Sequence, residues 1–306
     1  MAVKNRIPVR KAFTETLLEL ARRDRRICAL ATDSRGSVTL GDFAAELPEQ
    51  FVECGIAEQD AVGIGAGLAN AGMIPFVCSP ASFLAARSAE QVKVDVGYSH
   101  MNVKLIGVSG GVSYGALGAT HHSTQDVALM RAIPNMQVIL PADVNQMIAC
   151  TRALVESREP AYVRMGRGAV PDVYGADAPF EIGKANILRE GKGLAIIACG
   201  EMVYPALRAG ERLGATVIDM HTIEPLDTAA VELAAQCCRV MTVEEHCIHG
   251  GLGGAVAEYL CQHKPVPMKI LGLPNESLYS GTSEEMKRYY HLDCEGILAS
   301  AREFMK

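Results

Sequence analysis

Short runs of β-branched and aliphatic residues alternate with longer stretches of helical periodicity along this chain of 306 residues. This alternation predicts parallel strands joined by crossover helices, which is the pattern of an α/β protein. The clearest strand is Ile27 to Ala31, which follows a helix predicted over Lys11 to Arg23. Further strands are predicted at 51–55, 74–78, 103–108, 137–140 and 162–164, with helices at 57–71, 81–98, 126–131 and 144–156.

Proline and glycine are concentrated in the segment 171–193, which contrasts with the apolar texture on either side. Such a stretch between two folded units is typical of an interdomain linker. Residues 1–170 are therefore predicted as one domain, and residues 194–306 as a second α/β domain. The second domain is predicted to have strands at 194–199, 215–219, 239–243 and 268–271, and helices at 202–213, 227–236, 252–261 and 283–289.

The charge of the chain argues against nucleic acid as a main partner. The net charge is −6, and an aspartate interrupts the densest basic run, 22–26. Phosphate backbones require a concentrated basic face. We also expect no membrane as a partner, because no apolar run reaches the ~18 residues of a membrane span. Residues 1–10 lack the apolar core of a signal peptide.

The ten cysteines are scattered along the chain without a CxxC pair. Several of them lie inside apolar strands, such as Cys28 and Cys78. In that setting cysteine acts as a small core residue of a protein kept in a reducing compartment. We therefore expect a cytoplasmic protein.

Two glycine-rich stretches do not meet the requirements of a dinucleotide-binding loop. Residues 63–67 lie inside a predicted helix, where glycines favour close helix packing, for instance at a subunit interface. Residues 250–254 open a helix, but they lack the GxGxxG spacing and an acidic residue about twenty positions later. Tight turn packing is the better interpretation of this second stretch.

Polar residues follow several predicted strands, at the edge where ligands of open α/β sheets bind. Glu58 begins a helix after one strand, and Asp33 with Ser37 follows another. Arg164 and Arg167 stand at the end of the last strand of the first domain. These residues are the first candidates for a binding site.

A long loop rich in glycine, serine and histidine, 109–124, adds His121 and His122 to the candidates. Adjacent histidines point in different directions, and no third ligand stands at a familiar spacing, so we predict no metal site in this chain. Glu58 has two interpretations from the pattern alone. It is either a first-turn acid that stabilises the helix dipole or a functional acid among small apolar residues.

Several motifs resemble the transketolase family. Those of its pyrimidine-binding domain are ECGIAEQDAVG at 53–63, GATHH at 118–122 and DVALMRAIPNM at 126–136. Those of its C-terminal domain are TIEPLD at 222–227 and VEEHCIHGGLG at 243–253. Because these motifs occur in order along essentially the whole chain, it is identified as a member of the family. The resemblance implies an α/β, thiamine-diphosphate-binding domain of the pyrimidine type, followed by the transketolase C-terminal α/β domain.

The resemblance also implies a partner. Full-length transketolases begin with a domain whose GDG…N segment holds Mg²⁺ and the cofactor diphosphate, and this sequence contains no GDG. The chain therefore resembles the C-terminal subunit of a split transketolase. Its expected partner is an N-terminal subunit that carries the metal ligands, and we expect a dimer of this chain within an α2β2 assembly.

Cofactor roles follow from the same resemblance. Glu58 matches the glutamate that hydrogen-bonds the aminopyrimidine ring of thiamine diphosphate and favours its imino tautomer. Phe83 is the candidate to stack on that ring, with a core aromatic residue as the alternative. Asp33 matches an aspartate that contacts the cofactor.

Substrate roles are implied for four further residues. His121 matches a histidine that binds a substrate hydroxyl. Arg10, Ser37 and Arg167 match residues that grip the sugar phosphate, a task for which the planar guanidinium fork is well suited. A purely surface role is the alternative for the two arginines.

Two departures from the family pattern concern the substrate. Leu117 replaces an aspartate that contacts a substrate hydroxyl, and Ser109 stands where a phosphate-binding histidine is common. Loss of a hydrogen-bonding partner changes which hydroxyl pattern a site accepts. We therefore predict ketol transfer between sugar phosphates, with a less usual sugar phosphate among the substrates.

Three other functions remain open at this point. Deoxyxylulose-phosphate synthase has the same domain order but carries an arginine where Gly110 stands. The β subunit of 2-oxo acid dehydrogenase E1 is a separate chain of comparable length with a faintly similar loop. A non-catalytic scaffold or regulatory subunit is the third alternative, against which the retained Glu58, Phe83, His121 and Arg10 argue.

Overall fold

Two β-sheets with helices packed on them make up the computed structural model, which describes residues 7–306. The strands of the first half are β1 (Ile27–Ala31), β2 (Phe51–Glu53), β3 (Ile74–Pro80), β4 (Lys104–Val108), β5 (Gln137–Ile139) and β6 (Ala161–Met165). Those of the second half are β7 (Asn186–Arg189), β8 (Ala195–Ala198), β9 (Thr216–Asp219), β10 (Thr222–Glu224), β11 (Val240–Cys247) and β12 (Met268–Leu273). The predicted α/β class is confirmed.

Helices cover the faces of both sheets. In the first half they are α1 (Val9–Ala21), α2 (Gly41–Glu46), α3 (Glu58–Asn70), α4 (Ala81–Arg87), α5 (Ala89–Gln91), α6 (Asp126–Arg131) and α7 (Val144–Glu156). In the second half they are α8 (Val203–Leu213), α9 (Thr228–Ala235), α10 (Leu252–His263), α11 (Ser283–Tyr289) and α12 (Cys294–Phe304). No helix within residues 7–306 is long and apolar enough to cross a bilayer.

The first sheet has the strand order β10-β5-β6-β4-β3-β1-β2, and its strands are parallel except for β10. The chain leaves β1 towards one edge of the sheet and leaves β3 towards the other, although β1 and β3 are neighbours. A crevice opens outside the carboxyl ends of two such strands, which is where open α/β sheets bind ligands. The topology thus brings together the residues that follow β1 and β3.

The first sheet is buried on both faces, as parallel sheets require. All residues of β1, β3, β4 and β6 are buried. One face packs against α1 and α7 through Phe13, Phe76 and Met147, and the opposite face carries Val62 of α3 and Leu105. Burial of each such side chain stabilises the fold by roughly 1.5–3 kcal/mol, so the strand ends are held on a rigid platform.

The second sheet has the order β12-β11-β8-β9-β7, and β7 pairs antiparallel with β9. Strand β7 lies inside the segment 171–193, so the last part of that segment belongs to the second sheet. The placement of the linker at 171–193 otherwise stays a prediction. Strand β10 crosses in the other direction, since it pairs antiparallel with β5 of the first sheet.

The predicted helix 81–98 is interrupted. Helix α4 ends at Arg87, Ser88 follows with φ −108°, and a π-helical segment runs from Val92 to Tyr98. The Ser88 hydroxyl donates to the Leu84 carbonyl one turn earlier, a bond that competes with the helical ladder. The break therefore has a local cause that the apolar periodicity does not reveal.

Candidate active site

Glu58 is the first residue of helix α3 and is 2% exposed. The chain reaches it from β2 through a tight turn in which Gly55 has φ +71° and the Ala57 amide donates to the Gly55 carbonyl. Glycine tolerates that left-handed conformation without a steric penalty. The turn buries the carboxylate of Glu58 at the helix N-terminus, where the helix dipole stabilises negative charge.

Arg87 at the end of helix α4 is paired with this carboxylate. Its Nη1 donates to Oε2 of Glu58 at 2.6 Å, and the Arg87 side chain is 45% exposed. The pair thus joins a buried carboxylate to a guanidinium that still meets solvent. Sequence reasoning missed Arg87, whose one signal was its position four residues after Phe83.

Phe83 lies one helical turn before Arg87 on α4, so the two side chains share a face. The guanidinium carbon of Arg87 is 4.8 Å from the centre of the Phe83 ring. That ring is half-buried and meets the His121 ring edge-on, with 5.2 Å between the ring centres. Phe83 therefore connects Glu58, through Arg87, to His121.

His121 stands between two aromatic rings. Besides Phe83, Tyr114 contacts it edge-on with 5.5 Å between the ring centres. The Nδ1 atom of His121 is 3.0 Å from the hydroxyl of Thr120. A hydrogen bond at Nδ1 leaves Nε2 as the nitrogen for an external partner.

Tyr114 leads from His121 to the predicted phosphate-gripping residues. Its hydroxyl donates to Oγ of Ser37 at 3.0 Å, and the guanidinium carbon of Arg167 lies 4.1 Å from the centre of its ring. Arg10 donates to the carbonyl of Ser37. Sequence reasoning missed Tyr114, since a single tyrosine in a glycine-rich loop carries no periodic signal.

Arg10 and Arg167 form a positive pair without a counter-charge. Within residues 7–306, neither side chain forms a salt bridge, and Nε of Arg10 and Nη1 of Arg167 are buried without a hydrogen-bond partner. Burial and the charge of Arg167 both lower the pKa of Arg10 from its ordinary value. Buried, uncompensated guanidinium groups are the setting in which an anion binds most strongly.

Asp33 follows β1 at the same edge, with a left-handed φ of +53°. Its backbone amide donates to Oε1 of Glu53 at 2.7 Å, and its side chain is exposed. Within the described residues, no hydrogen bond or ion pair joins the Asp33 side chain to the other predicted site residues. The structure thus gathers six of the seven in one line of contacts and leaves Asp33 at its margin.

The second domain supports the loop that carries Tyr114 and His121. The Gly281 amide donates to the Gly115 carbonyl at 3.3 Å, and Nε2 of His122 lies 3.2 Å from that carbonyl. A Cβ atom on Gly115 would come within 2.3 Å of the Gly281 carbonyl oxygen. The loop therefore packs so closely on the second domain that only glycine fits.

Arg164 belongs to the domain contact instead of the site. Its side chain is buried, its Nη1 lies 3.6 Å from Asp126, and its Nη2 donates to the Glu245 carbonyl at 2.5 Å. The Glu245 carboxylate in turn lies 3.4 Å from Nζ of Lys287. Burial, offset in part by Lys287, raises the pKa of Glu245. This buried network links the two sheets.

Metal ligands are not grouped in the described part of the chain. Within residues 7–306, no three residues of the histidine, cysteine, aspartate and glutamate types are close enough to hold a metal ion. His122 is buried with Nε2 directed to the Gly115 carbonyl, and His246 is buried beside the Cys247 carbonyl. Both histidines make internal contacts.

Comparisons with known proteins agree with this arrangement. The family described as "Transketolase, pyrimidine binding domain" matches residues 5–173, and "Transketolase, C-terminal domain" matches residues 183–297. One of the subunits of the apulose-4-phosphate transketolase of Phocaeicola vulgatus is 56% identical over 309 residues, which cover 99% of each chain.

Two further similarities frame the choice of function. A solved structure titled "Split gene transketolase, inactive beta4 tetramer" superposes with a TM-score of 0.90 at 35% identity, covering 98% of each chain. The 1-deoxy-D-xylulose-5-phosphate synthase of Methylococcus capsulatus is 38% identical over 303 residues, which are 97% of this chain and 47% of that enzyme. This chain thus spans about half of the synthase. The chain belongs to the transketolase family, which depends on thiamine diphosphate, and it comprises the pyrimidine-binding and C-terminal domains of that family.

Proposed function

We propose that this chain is the C-terminal subunit of a two-chain transketolase that transfers a two-carbon ketol unit between sugar phosphates. One observation carries the proposal. Six residues with separate roles, spread from Arg10 to Arg167, form a continuous line of contacts at one edge of the first sheet. A scaffold without turnover has no need of such a line.

The cofactor end of the line is formed by Glu58 and Phe83. A buried carboxyl group and a half-buried aromatic ring are the groups that recognise an aminopyrimidine, through a hydrogen bond and through stacking. The residues therefore fit thiamine diphosphate, which when bound supplies the electron sink for ketol transfer. Glu58 holds a proton against the ring nitrogen, and Arg87 has to turn aside or share the carboxylate when the ring is in place.

The substrate end fits a sugar phosphate. The uncompensated Arg10 and Arg167 supply the positive charge, and the Ser37 hydroxyl supplies a neutral donor. His121, whose Nδ1 is engaged by Thr120, offers Nε2 to a substrate hydroxyl between the phosphate and the cofactor. The order of these groups along the line matches the order of groups along the substrate.

The remaining half of the site is assigned to an N-terminal subunit, which is to supply the Mg²⁺ ligands and hold the diphosphate. Next to Glu58, the side chain of Ile56 is 76% exposed, and Tyr98, which ends the π-helical segment, is 83% exposed. Apolar groups that are left open beside a polar site mark a surface that a partner covers. An α2β2 assembly with a dimer of this chain at its centre agrees with these surfaces.

Apulose 4-phosphate is our proposed donor ketose. The P. vulgatus relative is named for this substrate and shares 56% of its residues with this chain. Leu117, which is 53% exposed on the loop beside His121, removes a carboxylate contact that ordinary transketolases make with a substrate hydroxyl. An altered hydroxyl pattern in the donor is the expected consequence.

Deoxyxylulose-phosphate synthase activity is the second candidate, because the M. capsulatus enzyme is 38% identical to this chain. The packing around Gly110 argues against it. A Cβ atom on Gly110 would lie 2.1 Å from Nε of Arg164 and 2.5 Å from its Cγ. The arginine that is typical of the synthase at this position has no room, so we favour the transketolase.

A reducing compartment such as the cytoplasm is our proposed location. All ten cysteines lie within the described residues and none forms a disulfide. Burial raises the pKa of the Cys28 thiol to about 11, which keeps that thiol neutral and unreactive. Core cysteines of this kind agree with a protein that is kept reduced.

The test begins with the coding sequence beside this one, which should encode a chain with a GDG…N segment. The two chains are co-expressed, and thiamine diphosphate is titrated against this chain alone, against the partner alone and against the pair. We expect tight, Mg²⁺-dependent binding by the pair. The pair is then supplied with apulose 4-phosphate, xylulose 5-phosphate or pyruvate as donor and an aldose phosphate as acceptor. Turnover with pyruvate but neither ketose would establish the synthase instead, and a pair without turnover on any donor would leave the scaffold.

A further inference from the structure

Tyr114 contacts three residues to which the proposed function gives substrate roles. Its hydroxyl donates to Ser37, its ring face lies against the guanidinium of Arg167, and its ring edge meets His121. Neither composition nor the family motifs assign this tyrosine a role. Its position raises the question of what the hydroxyl and the ring each contribute.

The hydroxyl of Tyr114 fixes the direction of the Ser37 hydroxyl. A serine oxygen that accepts a hydrogen bond keeps its own proton free to donate elsewhere. Ser37 is held on its other side as well, since its carbonyl accepts from Arg10. With both contacts in place, the Ser37 proton is available to an anion that lies among Ser37, Arg10 and Arg167.

The ring of Tyr114 fixes Arg167. A guanidinium stacked on an aromatic face is held in one plane, with its N–H groups directed outward along that plane. This support is needed because Arg167 lies near the charge of Arg10 and, within the described residues, has no carboxylate that would hold it in place. Without the ring, repulsion between the two cations favours conformations in which they separate.

We propose that Tyr114 is a positioning residue that makes this site select phosphorylated substrates: its hydroxyl orders Ser37, and its ring aligns Arg167 beside His121. The substrate class rests on the proposed function, whereas the contacts among these residues do not. Two variants separate the two contributions. Y114F removes the hydroxyl and keeps the ring, and Y114L removes both.

The assembled two-chain enzyme, with thiamine diphosphate and Mg²⁺, is assayed with apulose 4-phosphate as donor and with glyceraldehyde 3-phosphate or glyceraldehyde as acceptor. For Y114F we expect the KM for glyceraldehyde 3-phosphate to rise about fivefold, which corresponds to one net hydrogen bond. We expect kcat to stay within twofold and both constants for unphosphorylated glyceraldehyde to stay unchanged. Y114L is expected to raise that KM further and to lower kcat with both acceptors, because His121 also loses a neighbouring ring.

Y259F is the matched control, since the Tyr259 hydroxyl likewise donates one hydrogen bond, to Glu232 on the protein surface. It should behave as the wild type with both acceptors. An equal loss for the two acceptors in Y114F, or no loss for either, overturns the proposal. Circular dichroism spectra identify a Y114L chain that has failed to fold, and Y114F then decides alone.

A binding measurement keeps the proposal testable if the assembled enzyme transfers no ketol unit, an outcome that would refute the proposed function. Inorganic phosphate is titrated into the full chain and followed by ³¹P NMR. We expect R167M to abolish phosphate binding, Y114F to weaken it about fivefold, and Y259F to leave it unchanged. Equal phosphate affinity in the wild type and Y114F refutes the positioning role, whatever the enzyme assay gives.

Discussion

The Glu58 carboxylate accepts a hydrogen bond at 2.6 Å from the Arg87 guanidinium, although Glu58 is 2% exposed and the Arg87 side chain is 45% exposed. The two residues are 29 positions apart and begin or end different helices. Because Arg87 already meets solvent, its side chain can rotate away without disturbing the core. The pair therefore neutralises the buried acid while leaving it accessible to a ligand that displaces the guanidinium.

Replacement of Glu58 should abolish catalysis and leave assembly intact. Loss of a positioned acid typically costs about 10²–10⁴ in rate, so we expect E58Q and E58A to lower kcat by at least about 100-fold in the two-chain enzyme. Size-exclusion chromatography should show the wild-type assembly. E49Q, at an exposed acid paired with Arg25, is the control and should keep full activity. Activity of E58Q within tenfold of the wild type would contradict the proposed role.

Removal of the Arg87 charge should destabilise the chain modestly. Breaking a fully buried ion pair costs about 3–5 kcal/mol, but half of this arginine is in solvent, so we expect R87M to lower the free energy of unfolding by about 1 kcal/mol. Urea unfolding of the isolated chain measures the change. R25M breaks a pair of similar length, 2.7 Å, whose two side chains are over 80% exposed. It should change the stability by less than about 0.5 kcal/mol, and equal effects in the two variants would show that burial of Glu58 is irrelevant.

Restoration of an acid at Leu117 should change the preferred donor. In L117D a carboxylate returns to the exposed loop position where ordinary transketolases have aspartate, and a new hydrogen bond to a substrate hydroxyl becomes available. We expect the ratio of kcat/KM for xylulose 5-phosphate to that for apulose 4-phosphate to rise about tenfold, which corresponds to ~1.4 kcal/mol. L117N supplies a neutral side chain of the same shape. An unchanged ratio in both variants would exclude this loop from donor selection.

Contact with the second domain should prove necessary for the substrate loop. In G115A, the added Cβ would meet the Gly281 carbonyl oxygen at 2.3 Å and force the loop, with Tyr114 and His121, to move. We expect kcat/KM to fall about tenfold or more, in line with misplacement of substrate groups by a fraction of an ångström. G175A is the matched control, because nothing lies within 4 Å of its Cβ. Wild-type activity of G115A would mean that the loop adjusts without loss.

Stability should decrease as the pH rises from about 4 to 7. Burial raises the pKa of Asp219 from an ordinary value near 4 to about 7, and that of Glu244 likewise to about 7. In this window the folded chain retains protons that the unfolded chain has released, so each increase in pH favours unfolding. D219N removes one of the two groups and should flatten the fall, as measured by urea midpoints at pH 4.5, 5.5 and 6.5.

The exposed Asp177 provides the comparison for that series. D177N should retain the wild-type dependence on pH. If D219N also keeps the full wild-type slope, Asp219 is not protonated in the folded chain at neutral pH. In that case its hydrogen bonds from Tyr174 and Gln146 outweigh its burial.

Local pattern predicted many elements well. Strand β1 and helices α6, α7 and α11 begin and end at the predicted residues, because apolar periodicity and a flanking cap suffice to define them. The motifs around Glu58 and His121 likewise indicated the family before any coordinates were considered. Each of these signals lies within a few consecutive residues.

Other features depended on neighbours that are distant in sequence. Strand β10 was missed because it is short and gains its partner, β5, from the other half of the chain. Helix α12 and strand β7 were missed for a similar reason, since their place is set by packing on the second sheet. Arg87 and Tyr114 were missed because a side chain's partners follow from the order of strands.

The sequence by itself determined that the chain is an α/β protein of two sheets, that it carries transketolase motifs, and which acid, histidine and arginines deserve chemical roles. The tertiary structure alone decided that Arg87 closes over Glu58 and that Tyr114, 77 residues after Ser37, joins the phosphate-binding residues to His121. The physical reason is that periodicity records only which face of an element is buried. Contacts between strand ends follow from the order β4-β3-β1 in the sheet, which no local stretch of sequence encodes.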